Sequence, residues 1–392
     1  MKRFDDRSRL VLCALLSGCA GLVYEALWTR RLTEAFGHTT LAVATAAAAF
    51  MGGLAIGSLA AGPLARRFPG GPPKLYAFAE AAIGLFGWVS LGWLALIERW
   101  ASSGHGISFG VFLAALAPST VMMGLTLPLL VMGSSDAERS PGGGFGWIYG
   151  WNTLGGALGC LLAGIVLPPW IGIRGSLHLA AALNGAAAAT ALGIAPRPRE
   201  TADASTNSMP GGFLGLSFLG GVVAMVCEIA WFRLLQLLLG SSTQTIGLIL
   251  VVIVLGLGLG SLLYRAASVR RAPDAGGWAW LQLLLAASLL AGLFGFDRLA
   301  YAGASVLADP SFSFGARLLM QGAFCSAIAL PASVLMGFSL PWLFGWASGD
   351  RGASEVGVFY GANAAGCVVG SAAAAFYLLP AWGMERTLRG AA

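Results

Sequence analysis

The chain is built from long apolar stretches separated by short polar clusters. Between Arg99 and Asp136, between Arg233 and Arg265, and between Arg317 and Asp350 there is no Asp, Glu, Lys or Arg. Each gap exceeds the about 20 apolar residues that a helix needs to cross a hydrocarbon core. The pattern predicts membrane spans at 10–30, 39–65, 75–96, 107–132, 144–168 and 177–194. A polar linker rich in Ser, Thr, Asn and Asp occupies 200–211, and a second series follows at 212–239, 245–264, 278–296, 314–346 and 356–379. The tenth span is longer than one perpendicular helix requires, and Pro331 inside it predicts a kink or tilt.

The two series are copies. At a fixed offset of 203 residues, 18–59 and 221–262 share thirteen identities without a gap, among them Glu25/Glu228, Trp28/Trp231, Arg30/Arg233, Gly57/Gly260 and Ser58/Ser261. Pro118-x-x-Val121-x-Met123-Gly124-x-x-Leu127-Pro128 returns as Pro331-x-x-Val334-x-Met336-Gly337-x-x-Leu340-Pro341. Tyr149-Gly150-x-Asn152-x-x-Gly155-x-x-x-Gly159 returns as Tyr360-Gly361-x-Asn363-x-x-Gly366-x-x-x-Gly370. The expected organisation is therefore a first membrane repeat of about six helices (1–199), the linker, and a second repeat of about five (212–392) that ends before its sixth span. An even number of spans per repeat makes the two repeats parallel.

Composition removes the soluble alternative. Of 392 residues 57% are apolar and 10% charged, with a mean hydropathy of +0.78, whereas a soluble domain carries roughly 25% charged residues. The net charge of +6 does not point to nucleic acid, because the basic residues sit in short loops. With alternating spans, Lys2, Arg3, Arg7 and Arg9, the loop with Arg66, Arg67 and Lys74, Arg197 and Arg199, and the loop with Arg265, Arg270 and Arg271 share one side. By the positive-inside rule that side, with the amino terminus, is cytoplasmic. Leu16-Ser17-Gly18-Cys19 has the form of a leader ending at a lipoprotein cleavage site, but the apolar run continues to Leu27, so a first span is expected there. The six cysteines lie in apolar stretches with no CxxC and no ligand spacing, and read as packing residues. No metal site, catalytic triad or cofactor is implied; His38, His105 and His178 have no partner at catalytic spacing. The glycine-dense string 256–260 sits mid-span, outside any strand–loop–helix context for a nucleotide.

Two parallel six-span repeats with Gly57-Ser58-x-x-x-Gly62-Pro63-x-x-Arg66-Arg67 resemble the major facilitator superfamily of secondary transporters, the loop being a degraded form of that family's signature without its Asp. Ser17-Gly18, then Val23-Tyr24-Glu25-x-x-Trp28-x-Arg30, then Phe50-Met51-x-Gly53-Leu54-x-x-Gly57-Ser58, resembles the membrane part of bacterial proteins in which a facilitator-like region accompanies a spermidine-synthase-like domain. The resemblance implies an all-α protein of the bacterial inner membrane. Its partners would be the lipid bilayer, a small cationic solute of polyamine type, and a separate aminopropyltransferase-like domain that this chain lacks. A role as the membrane module of such an enzyme, or as a scaffold, stands beside a role in transport.

Glu25 is the sharpest candidate. It lies about 22 Å along a helix starting at Leu10, where a carboxylate costs on the order of 3 kcal/mol unless it is protonated, paired or facing water. Its recurrence as Glu228 means that both repeats accept that cost. Together they suit a proton-coupled site or capture of a cation. Arg30 is five residues on, about 140° around the axis, and cannot pair with Glu25 on one face. Trp28, Arg30, Trp231 and Arg233 read either as site residues or as anchors at the membrane interface. Glu80, with Gln282 as its approximate counterpart, reads as a binding residue or as a partner of Lys74 or Arg66. Asn152 and Asn363 read as solute ligands or as polar glue between helices.

Overall fold

The computed structural model describes residues 5–36, 40–102, 109–134, 140–195, 209–240, 242–307, 311–349 and 355–392, and these are all-helical. Most of the linker, together with Lys2, Arg3, Arg197, Arg199, His38 and His105, lies outside them. The first series comprises α1 (Asp6–Phe36), α2 (Thr40–Arg67), α3 (Gly71–Ser102), α4 (Phe109–Met132), α5 (Pro141–Leu161) and α6 (Leu167–Ala191). The second comprises α7 (Gly211–Leu239), α8 (Thr243–Ala267), α9 (Ala275–Leu307), α10 (Phe314–Ser348), α11 (Val356–Ala373) and α12 (Leu379–Ala391).

Among the described residues ten helical stretches are long and apolar enough to cross a membrane, where the apolar pattern predicts eleven spans. The difference lies at 169–176, expected as a loop. There α5 and α6 join through a π-helical turn, Leu162–Val166, into one run of 51 residues. At 1.5 Å per residue that run is about 76 Å long, far beyond a hydrocarbon core, so it must turn. It turns at Gly172, whose φ of 67° is open to glycine at little cost. Asn152 and Gly159 on α5 meet Ala14 and Cys19 in the same order along α1, whereas Ala187 on α6 meets Cys13 and Gly193, just past its end, meets Arg9, in reverse order. The second series repeats the device with a π turn at Ala374–Leu378 and Gly383 at φ 74°.

Close backbone approach holds each series together. At Gly260 an added Cβ would collide with the Val334 carbonyl on α10, and at Gly57 with the Val121 carbonyl on α4. In lipid, where there is no hydrophobic drive between helices, such contact supplies the attraction through dispersion. Beside each glycine a serine bridges the same helices: Ser58 Oγ donates to Gly124 O (3.0 Å) and Ser261 Oγ to Gly337 O (2.7 Å).

The apolar core has a shape that matters for function. Toward the end carrying Arg7, Arg66, Arg67 and Lys74, one core spans both series, from Leu10 and Leu75 through Phe145 to Phe344 and Phe359. Toward the opposite end the buried residues form two clusters. One lies wholly in the first series, around Tyr24, Trp28 and Phe50, and the other is centred in the second, around Trp231, Ile253 and Phe324. The two series are therefore joined tightly at the basic end.

Candidate functional site

Glu25 on α1 and Glu228 on α7 occupy equivalent positions and are only partly buried, although each lies mid-span. Glu25 lies within electrostatic reach of Glu228. Neither carboxylate makes an ion pair or hydrogen bond with a described residue. Cys160 on α5 is within reach of both, and Cys367 on α11 of Glu228, but both thiols are buried beside the carboxylates; all six cysteines are free and buried. No group of three or more His, Cys, Asp or Glu suited to a metal occurs among the described residues.

A layer of aromatic rings lies on the basic side of the pair. Tyr360 on α11, within reach of Glu25, faces Tyr149 on α5 across the divide with ring centroids 6.1 Å apart, and both are half-buried. Beneath them Phe145 is fully buried and meets Phe344 at 5.2 Å, Phe359 at 6.4 Å and Tyr360 at 6.4 Å, all from the second series. Gly142 and Gly345 approach backbone to backbone just below. The layer closes the basic end under the two carboxylates. The sequence singled out the Asn of the repeated Tyr-Gly-x-Asn motif; the tyrosine three residues earlier borders the site.

The other candidates stand apart from the pair. Trp28 is buried against Tyr24, stacked at 4.9 Å, and edge-on to Phe86 at 5.9 Å. Trp231 is buried in the core of the second series. Neither is an interface anchor, because α1 runs on to Phe36 and α7 to Leu239, leaving both indoles well inside their helices. Arg30 Nε pairs with Glu34 at 2.9 Å, and Arg233 is exposed. Asn152 Nδ2 donates to Ala14 O (3.2 Å) and Asn363 Nδ2 to Ser217 O (2.9 Å), tying α5 to α1 and α11 to α7. Glu80 is fully buried and accepts from Asn184 Nδ2 at 2.7 Å; its expected pairing with Lys74 or Arg66 gives way to an amide on α6. Gln282 instead donates to Ser339 on α10 at 2.7 Å.

This arrangement is the fold of the major-facilitator transporters. Over 99% of its length the chain superposes on 96% of a bacterial homologue of the iron transporter ferroportin in an outward-facing state, with a TM-score of 0.63 and 15% identity. It is similar also to the human organic anion transporter MFSD10, with a TM-score of 0.59 and 14% identity over 99% of this chain and 97% of that one. The proton:xylose symporter XylE bound to 6-bromo-6-deoxy-D-glucose superposes with a TM-score of 0.57 and 13% identity over 98% and 93%. No family profile and no curated protein matches the sequence, so the resemblance to spermidine-synthase-associated proteins gains no support from relatives.

Proposed function

We propose that the protein is a transporter that moves a small solute by alternating access. In this reading 1–199 and 212–392 are the two halves that rock about a central site, and Glu25 and Glu228 are its proton or cation groups. The observation that carries the reading is the pair itself: two mid-span carboxylates from equivalent positions, within reach of one another, with no fixed cation among the described residues. Uncompensated charge at that depth is costly unless the site takes up a proton or a cation. Placing the basic end in the cytoplasm of a bacterial cell satisfies the positive-inside rule. The single core at that end then makes the structure outward-facing. The solute that fits is a small organic cation of polyamine type, with carboxylates for its ammonium groups and the rings of Tyr149 and Tyr360 for cation–π contact.

The test is uptake of labelled spermidine and putrescine by purified protein in vesicles carrying a proton gradient. Glu25→Gln and Glu228→Gln should each abolish gradient-driven uptake, and undiminished uptake by both variants sinks the role of the pair. Thermal stability in detergent separates binding from coupling, because a ligand of the folded state raises the melting temperature with its concentration. Spermidine should stabilise the wild type and not Glu25→Gln, whereas no shift with any polyamine removes the polyamine assignment.

A further inference from the structure

Of the mid-span carboxylates, Glu80 is the one the transport site does not use. It lies on α3 where α1 and α6 pack against it, and none of its surface is exposed. Its Oε2 accepts from Asn184 Nδ2, while its Oε1 and the Asn184 Oδ1 are buried with no donor among the described residues. Two side chains already joined through one pair of atoms therefore each leave an acceptor unsatisfied. Burial of an acceptor without a partner costs about 1–3 kcal/mol, and more for a charged group. A proton on Oε1 directed at Asn184 Oδ1 would remove both penalties.

The Ser17 and Tyr76 hydroxyls act on the Glu80 carboxyl, but neither gives Oε1 a hydrogen bond. α1 presents Cys13 and Tyr24, with Ser17 beside the carboxyl, and α3 itself presents Tyr76. The Tyr76 hydroxyl donates to Cys13 O at 3.1 Å. α6 presents Asn184 and, farther along, His178, whose ring is stacked on Trp88 at 4.2 Å. Among the described residues no Lys or Arg acts on Glu80. The second series makes the same point, since at this place it carries Gln282, an amide with hydrogens of its own.

We propose that Glu80 is a proton-binding site, holding one proton on Oε1 that it donates to Asn184 Oδ1, so that acid and amide close a ring of two hydrogen bonds between α3 and α6. The site is separate from the Glu25–Glu228 pair and keeps its proton while that pair exchanges. It gives the first series an uncharged clip between α3 and α6, whereas in the second the neutral Gln282 turns to Ser339 on α10.

Glu80→Gln tests this without unfolding the bundle, because glutamine supplies the second hydrogen covalently. Infrared spectra of the reconstituted protein at neutral pH should show a protonated-carboxyl C=O band that is absent in Glu80→Gln; a wild-type-minus-variant spectrum containing only ionised-carboxylate bands overturns the proposal. The pH dependence of melting supplies a second readout. A proton held by the folded state and released on unfolding makes wild-type stability fall as pH rises through the acid range, by up to about tenfold in the folding equilibrium per pH unit. Glu80→Gln should lose that slope, and equal slopes for the two proteins refute the bound proton.

Discussion

Replacing Phe145 with alanine should open the basic end of the bundle. The Phe145 ring is fully buried, and truncating such a side chain costs about 3–5 kcal/mol. Its ring partners are Tyr149, one turn away on its own helix, and Phe344, Phe359 and Tyr360 across the divide. Three of its four ring contacts therefore exist only while the halves are closed at this end. Assigning the loss in that proportion leaves about 2–4 kcal/mol that falls on the closed state alone. At 1.4 kcal/mol per tenfold, the equilibrium should shift toward the open form by roughly 30- to 1,000-fold. A basic-end-open form present at about 1% would rise to between about a quarter and about nine-tenths of the molecules. Spin labels at Arg67 and Arg270, both exposed at this end and in different series, report the change by pulsed electron resonance as a longer distance in Phe145→Ala. Phe296→Ala is the control, because that ring meets Phe324 within the second series. It should lower stability and leave the distance alone. An unchanged distance distribution in Phe145→Ala, or the same lengthening in Phe296→Ala, refutes the assignment of the aromatic layer as the seal.

Other expectations concern packing and capping. Gly260→Val should cost about 1–3 kcal/mol or more, since even the first added carbon meets the Val334 carbonyl; unchanged melting in detergent would contradict the close approach of α8 and α10. Asn363→Leu removes the amide bridge to Ser217 O and should destabilise by about 0.6–1.7 kcal/mol, measured by unfolding in a mixed micelle. Tyr24→Phe deletes a buried hydroxyl with no hydrogen-bond partner among the described residues, so the variant should melt no lower than the wild type; a drop of several degrees would reveal a partner. Asp274 caps α9 by accepting from Gly277 N at 2.7 Å, and that bond, with Arg271 beside it, holds its carboxyl below the usual value of 3.8. A depressed carboxyl stabilises the fold above its unfolded value and loses that contribution as pH falls through the folded one. The melting difference between wild type and Asp274→Asn should accordingly shrink on acidification below about pH 4.

What was legible in the sequence is what repeats in it. The offset of 203 pairs Glu25 with Glu228 and the two Gly-x-x-x-Gly-Ser segments with one another; in the structure Glu228 lies within electrostatic reach of Glu25, and those glycines lie against facing backbones. The aromatic layer was illegible for the converse reason. At the offset of 211 that relates the Tyr-Gly-x-Asn motifs, Phe145 falls on Val356 and Phe359 on Ile148. Apart from the matched pair Tyr149 and Tyr360, the rings that fill the seam come from unmatched positions, and only tertiary contact groups them. The partner of Glu80 was hidden by distance, since Asn184 lies 104 residues away while Lys74 and Arg66 lie close in sequence. Trp28 and Arg30 looked like boundary residues because the apolar run ends there, yet Glu34 pairs with Arg30 and with Arg31 and lets α1 continue to Phe36.

The division between matched and unmatched residues has a mechanical meaning. Each half must hold its own helices together in every state, so the devices that do this occur twice: Ser58 and Ser261, Asn152 and Asn363, Gly172 and Gly383. In the proposed cycle a site shared by the halves would be presented to both ends of the bundle in turn, and the proposed pair, Glu25 and Glu228, is also drawn from matched residues. A seal works in one state and at one end. It need only fill the gap between two non-identical surfaces, and a closure built from Phe145, Phe344 and Phe359 does so without matching residues in the opposite half. The energies of closing the two ends are then set by different residues, and substitutions in the aromatic layer can bias the equilibrium while leaving the carboxylate pair intact.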